Sequence, residues 1–227
     1  MSGATALDRE LFGALRERCL AGARVTVLLS GRGSNAEVLL SSRYRYPNLR
    51  FVSLFADRPG SAASTLAGRY GLPWFEPPDR MPAGKLWPQL RRWLTWTGTD
   101  VVFCGGFLRI LPDDICHQWP GVNVHPADLT VRDDSGRPRL TGMNAVPDSL
   151  ALGHRQVRAS AHLVRNPVDE GLVLALSRPV EVVAGDDPAA VHDRLRLRRE
   201  HRLYPRLAEM LAAGDLHLGD LPLRDVE

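Results

Sequence analysis

A chain of 227 residues, 44% hydrophobic and 24% charged, carries enough apolar material for one globular domain with a full core. No apolar run reaches the ~20 residues that cross a bilayer. The net charge of +3 is mild and most of the surplus sits in one late helix, so neither nucleic acid nor membrane is expected as a partner; one anionic group on a small molecule fits the charge as well.

The first stretch, MSGATALDRELFGALRERC, is amphipathic and carries acids, unlike a targeting peptide. Residues 1–23 are therefore expected as a helical extension, packed on the domain's side or used in a homodimer, ahead of a domain over residues 24–227. RVTVLLS (24–30) suits a buried parallel strand, and SNAEVLLSSRY a helix capped by Ser34 or Asn35. RFVSLFA (50–56) is a second strand and SAASTLAGRYG a second helix closing on Gly71. KLWPQLRRWLTWTG reads as helix despite Pro88, DVVFCGGF (100–107) as a third buried strand and GVNVH (121–125) as a fourth. ASAHLV and GLVLALSRPVEVV read as two more. One long helix runs through GDDPAAVHDRLRLRREHRLYPRLAEMLAAG, with Asp187 as its cap, Pro188 in its first turn and Gly214 at its stop. The alternation specifies a single α/β domain with a mostly parallel central sheet flanked by helices. Between His125 and ASAHLV lies a long excursion in which DDSG, flanked by LTVR and RPRL, reads as a hairpin. Such excursions are often lids or binding loops.

Three stretches carry candidate chemistry. SGRGSNAE (30–37) joins the first strand to the first helix, where glycines admit a ligand and helix amides favour an anion. It is neither a P-loop nor the dinucleotide fingerprint, and a plain glycine turn explains it equally well. Asn123 and His125, two apart in a strand, project from one face just before Pro126; a polar pair tied to nearby backbone is the simpler explanation. HLVRNPVDEG holds His162 and Asp169, and an aspartate in a turn also bonds its own backbone. Cys19, Cys104 and Cys116 form no C-x-x-C pair; without a signal peptide they read as reduced, structural and cytoplasmic. No metal is expected, because no cluster of His, Cys and carboxylates has ligand spacing.

Taken in order, the motifs are more specific: G-x-G-S-N after the first strand, G-F-x-R-I-L, N-x-H-P, H-x6-D before a glycine, and E-H-x-x-Y-P. Over residues 24–211 they resemble the phosphoribosylglycinamide (GAR) formyltransferases, within the wider group that uses 10-formyltetrahydrofolate. The resemblance implies formyl transfer from 10-formyltetrahydrofolate to the amine of a small molecule in the cytoplasm. Asn123, His125 and Asp169 match the catalytic trio. Asn123 and an imidazolium His125 would stabilise the oxyanion, and Asp169 would hold His125 charged and relay the amine's proton. His162, with Ser160, matches a supporting position. Arg109, Ile110 and Leu111 match the folate-pterin segment, with Asn166, Val168 and Asp169 on the loop that would close over it. Gly33, Ser34 and Asn35 match the phosphate-holding residues, and Glu200 an acid near the ribose.

Four departures from the family's pattern fall close together. Ala127 and Asp128 replace a small hydroxyl residue and an apolar one, the insertion RDDSGRPRL follows, Met143 and Asn144 stand near an expected histidine, and Glu170 replaces a glycine. Glu170 is expected to strain its turn or add an acid at the pocket edge. This pattern implies kept chemistry with an altered pocket, so the acceptor is GAR or a non-purine amine such as an amino sugar or a specialised metabolite. Hydrolysis of the folate is the rival enzyme reading. It is disfavoured because deformylases add an amino-terminal regulatory domain, and initiator-tRNA formylation because such enzymes add a carboxy-terminal domain. A dehydrogenase lacks its third glycine here, and a mere binder has no need of the trio.

Overall fold

The computed structural model describes residues 4–79 and 81–226. Expectations touching residues 1–3 of the extension, and Arg80 and Glu227 of the domain behind it, lie outside the described residues. Helix α1 (Ala6–Ala21) opens with a reciprocal cap between Thr5 and Asp8 and lays Leu11, Phe12, Leu15 and Cys19 into the main core. The chain then runs β1 (Ala23–Leu29), α2 (Ser34–Ser41), β2 (Leu49–Ala56), α3 (Ala63–Tyr70) and β3 (Trp74–Phe75). It continues through α4 (Ala83–Trp96), β4 (Val101–Cys104), α5 (Asp113–Gln118) and β5 (Gly121–His125). After the excursion come α6 (Ala145–Ala151), β6 (Gln156–Val157), β7 (Ser160–Leu163), β8 (Val173–Ser177) and β9 (Val180–Glu181). Last are α7 (Pro188–Leu195), a widened π turn (Arg196–Glu200), α8 (His201–Ala213) and β10 (Leu223–Val226). No helix among the described residues is long and apolar enough to cross a membrane.

The sheet order is β10-β8-β7-β5-β4-β1-β2-β3. Pairings are parallel except those of β7, which runs antiparallel to both β5 and β8. Both faces are covered, which is why the central strands are continuously apolar. Alternation divides their side chains: Val25, Val27 and Phe103 join the cluster beneath α1, α2 and α8, while Leu28, Val102 and Cys104 join α4 and α5 on the other face.

The expected strands and long helices are present, with four differences. DVVFCGGF leaves the sheet at Cys104, where the Gly105 and Ser30 amides cross-bond Leu28 and Gly106. GLVLALSRPVEVV divides at Pro179, and β9 pairs with β6 in a separate ribbon. Gly33, rather than Ser34 or Asn35, caps α2. The long helix widens over Arg196–Glu200, one turn before Pro205, which cannot donate and crowds the carbonyl of His201. Within the excursion, Arg132 and Pro138 form a single antiparallel bridge around a turn in which Asp133 accepts from the Ser135 and Arg137 amides.

Packing between β4 and β5 leaves no space at Gly121, where an added Cβ would lie 2.4 Å from the Val102 carbonyl oxygen. Gly121→Ala is expected to lower the unfolding free energy by about 1–3 kcal/mol, read as a lower urea midpoint at unchanged slope.

Candidate active site

Strand order reverses about β1 and β4, and ligand crevices form at such points beyond the carboxyl ends of the strands. A cavity of about 610 Å³ opens there, lined by Gly33, Ser34, Asn35, Arg109, Ile110, Leu111, Asn123, His125, Asn166, Val168, Asp169 and Glu200, and by the supporting His162 but not Ser160. The structure thus brings together residues spread over most of the sequence.

The trio is placed by strand register. Antiparallel pairing sets Asn123 opposite His162 and His125 opposite Ser160, so residues two apart on β5 meet residues two apart on β7 on one face. His162 is 2% exposed, and burial, opposed by the Asp169 charge, lowers its pKa from 6.5 to about 4. The ring is therefore neutral at pH 7. Its Nδ1 lies 2.9 Å from the Leu163 carbonyl oxygen, which only accepts, so the proton is on Nδ1. Nε2 is left as an acceptor for the Asn123 Nδ2 amide at 3.2 Å. The supporting histidine thus orients the asparagine and is itself tied to backbone. Ser160 accepts from the Leu129 amide at 2.9 Å and donates to the Ala127 carbonyl at 2.6 Å, fixing the start of the excursion.

His125 is 4% exposed. Its Nε2 donates to the Leu140 carbonyl at 2.8 Å, and its Nδ1 lies 3.4 Å from Asp169 Oδ2. Asp169 Oδ2 also accepts from the Gly142 amide at 2.8 Å, while Oδ1 stands 3.5 Å from His162 Nε2. Asp169 adopts φ 58°, a left-handed conformation that costs a non-glycine residue on the order of 1 kcal/mol and is frequent where function fixes the backbone.

This geometry corrects the expectation for Glu170. The positive φ belongs to Asp169, and the Glu170 side chain is not among the cavity-lining groups. Near the missing histidine, Gly142 contributes its amide, and Met143, 77% exposed, lines the cavity. The bridge between Arg132 and Pro138 and the cluster of Ala127, Leu140 and Ala145 close the excursion on itself, while Leu129 packs against Val173 and Leu176 of β8.

At the opposite wall, Gly33 takes φ 63° and lets the chain turn sharply into α2, with Ser34 and Asn35 in its first turn. Asn35 Nδ2 donates to Glu200 Oε2 at 2.9 Å; Asn35 Oδ1 and Glu200 Oε1 are buried without a protein partner. Burial raises the Glu200 pKa from 4.5 to about 7 against the Asn35 hydrogen bond and Arg196. Arg196 donates to Ser34 Oγ at 3.3 Å. His192 and Arg196, which no motif singles out in the sequence, also line the cavity. Their signal was the four-residue spacing of His192, Arg196 and Glu200, which stacks them on one helix face.

The remaining wall is apolar. Leu108, Ile110 and Val168 are 49%, 58% and 39% exposed along its edge. Arg109 also faces the cavity, with its Nε 3.0 Å from Asp57 Oδ2. Burial raises the Asp57 pKa, but hydrogen bonds from Arg58, Ser30 and Arg109 outweigh it and hold the carboxyl below its usual value. Asn166 Nδ2 donates to the Leu111 carbonyl at 2.9 Å and to Asp113 at 2.7 Å, joining the two loops that flank this wall.

Residues 23–208 match the family model described as formyl transferase. Phosphoribosylglycinamide formyltransferase of Mycobacterium tuberculosis is 32% identical over 200 residues, covering 86% of this chain and 87% of that protein. The trifunctional purine biosynthetic protein adenosine-3 of Homo sapiens is 30% identical over 209 residues, 87% of this chain. The chain spans only 19% of that longer relative. Among solved structures, glycinamide ribonucleotide transformylase 1 from Symbiobacterium toebii superposes with a TM-score of 0.75 at 26% identity, covering 87% of this chain and 91% of that one. Phosphoribosylglycinamide formyltransferase from Anaplasma phagocytophilum gives 0.74 at 25%, covering 89% and 93%.

The raised pKa of Glu200 fixes the sign of a stability effect. The folded state binds this proton more tightly than the unfolded chain, so stability is intact below pH 4.5 and falls as pH rises towards 7. The loss is on the order of 3 kcal/mol. Glu200→Gln is expected to abolish it, so that urea unfolding at pH 5 and pH 7.5 shows the variant gaining on the parent protein at the higher pH.

Proposed function

The chain belongs to the formyl transferase family, and on that premise we propose that it transfers a formyl group from 10-formyltetrahydrofolate to the amine of a small phosphorylated acceptor, GAR or a close relative of it. The observation that carries this reading is the meeting of Asn123, His125 and Asp169 in one cavity with the glycine loop that opens α2. The fit to both substrates is chemical. Apolar Leu108, Ile110 and Val168 flank a wall suited to a flat ring, while the start of α2, with Arg196 beside Ser34, suits a phosphate. The buried acceptors Asn35 Oδ1 and Glu200 Oε1 suit ribose hydroxyls.

Bound folate supplies the electrophilic formyl carbon. Asn123, with one amide hydrogen on His162, keeps a second for the negative charge that develops on the formyl oxygen. His125 stands between two acceptors, the Leu140 carbonyl and Asp169, an arrangement that a doubly protonated ring satisfies at both nitrogens. It thereby adds positive charge beside the same oxygen. As the amine attacks the formyl carbon, Asp169, with Oδ2 committed to Gly142 and His125, has Oδ1 left to take the amine's proton directly or through a water. Oδ1 then passes that proton to the folate nitrogen as the formyl carbon–nitrogen bond to the folate breaks. The neutral His162 orients Asn123 without adding a competing charge. A cytoplasmic location belongs to the same proposal, supported by three buried, unpaired cysteines.

Turnover of 10-formyltetrahydrofolate, followed by absorbance with and without GAR, tests it. GAR-dependent turnover that His125→Ala lowers by about 10²-fold or more is the expected result. Folate binding without a response to GAR would move the acceptor to another amine, and formate release without acceptor would make the protein a hydrolase. No folate binding would overturn the reading.

A further inference from the structure

Asp8 lies on α1, ahead of the family-matched residues, which begin at residue 23, yet it is 3% exposed. Its carboxylate is fully engaged. Oδ1 accepts from Arg165 Nε at 2.7 Å and the Leu172 amide at 3.0 Å. Oδ2 accepts from the Thr5 amide at 3.0 Å, Thr5 Oγ1 at 2.7 Å and Arg165 Nη2 at 3.3 Å. Arg165 in turn donates to the Asn166 carbonyl at 2.9 Å and the Glu170 carbonyl at 2.7 Å. One carboxylate thus grips both flanks of the segment 166–171, and the guanidinium it holds grips both ends of the turn inside. At the middle of that turn sits Asp169 in its left-handed conformation.

We propose that Asp8 is a positioning residue for formyl transfer: acting through Arg165, it holds the loop 165–171 in the conformation that presents Asp169 to His125. This rests on the reaction proposed above. Burying a carboxylate and a guanidinium costs desolvation that well-packed apolar groups would avoid, so the pair is a poor device for stability alone. Its forked geometry fixes direction, which an apolar contact does not. Nor does α1 need Asp8 to dock. Leu11, Phe12, Leu15 and Cys19 bury it, Arg16 donates to the Leu216 and Gly214 carbonyls, and Arg18 to those of Asp100 and Gln118.

The full-length protein and three variants test the assignment. Asp8→Asn keeps the shape but loses the charge and an acceptor, Arg165→Lys keeps the charge but not the fork, and Arg16→Gln loosens α1 away from the loop. Hydrogen exchange is measured peptide by peptide, beside kcat and KM for GAR. Asp8→Asn and Arg165→Lys are expected to speed exchange selectively over residues 164–172. The expected fall in kcat for Asp8→Asn is about 10- to 100-fold, with KM for GAR changed less than about threefold. Arg16→Gln is expected to leave both loop exchange and kcat near those of the parent. Equal loss of kcat in Arg16→Gln, or exchange in Asp8→Asn that rises throughout α1 without selectivity for the loop, would overturn the proposal. Selective loosening by Asp8→Asn in a parent that binds no folate would uphold the clamp and refute the reaction assigned to it.

Discussion

The antiparallel register of β5 against β7 is the constraint on which the site depends. Because side chains alternate along a strand, a slip by one residue would turn Asn123 and His125 to the opposite face. The register Asn123↔His162 and His125↔Ser160 instead gives each polar residue of β5 a polar partner on β7 or at the loops beside it. It is held from both sides: Gly121 passes close beneath Val102 on β4, and β8 backs β7. The inversion of β7 in an otherwise parallel sheet has a consequence of its own. It sets the end of β7 beside the start of β5, and the loop before β8 then folds back so that Asp169 reaches His125 and His162.

From that register follows a fixed order of donors and acceptors. The Leu163 carbonyl assigns the proton of His162, His162 assigns the amide orientation of Asn123, and the Leu140 carbonyl assigns a proton to His125. Each assignment holds because a carbonyl oxygen can only accept. The interior is dry enough that a mispaired group would cost about 1–3 kcal/mol, so these orientations are set before any substrate arrives. Preorganisation of this kind gives a small set of dipoles its leverage on a developing charge. Glu200 and Asn35 contrast with it, since each keeps a buried oxygen unpaired. The trio's polar groups are largely satisfied within the protein, while this wall remains under-satisfied, as suits a surface meant to exchange hydrogen bonds with a ligand.

Much of this was legible in the sequence, for identifiable reasons. The central strands were readable because burial on both faces makes them continuously apolar, α1 because its stretch is amphipathic, and α3 and α7 because Gly71, and Asp187 with Pro188, mark their ends. The site was readable because its motifs fall at strand ends, where side-chain direction follows from alternation. What escaped was short or tertiary. The two-residue strands β3, β6 and β9, and the edge strand β10, exist only because a neighbouring strand pairs with them. His192 and Arg196 sit among other basic residues, of which Arg194 pairs with Asp186, so composition does not tell a cavity-facing cation from one spent in an ion pair. Asp169, rather than Glu170, takes the left-handed turn because its carboxylate is fastened to Gly142 and lies beside both histidines, a restraint that no local propensity encodes.

The departures in the excursion can now be weighed against what they supply. A histidine was expected close to Met143 and Asn144, yet the chemistry there is not absent. The Leu140 carbonyl meets His125 and the Gly142 amide meets Asp169, two residues apart in one backbone segment. Backbone groups serve here because they depend on the path of the chain rather than on the identity of a side chain. That path is fixed by buried Ala127, Leu140 and Ala145 and by Ser160 beneath Leu129. The side chains of the same segment are thereby released from the trio, and Met143 projects into the cavity mouth. A loop built in this way can vary its side chains while its backbone continues to hold His125 and Asp169, so that a changed pocket and an unchanged trio are compatible within one stretch of chain.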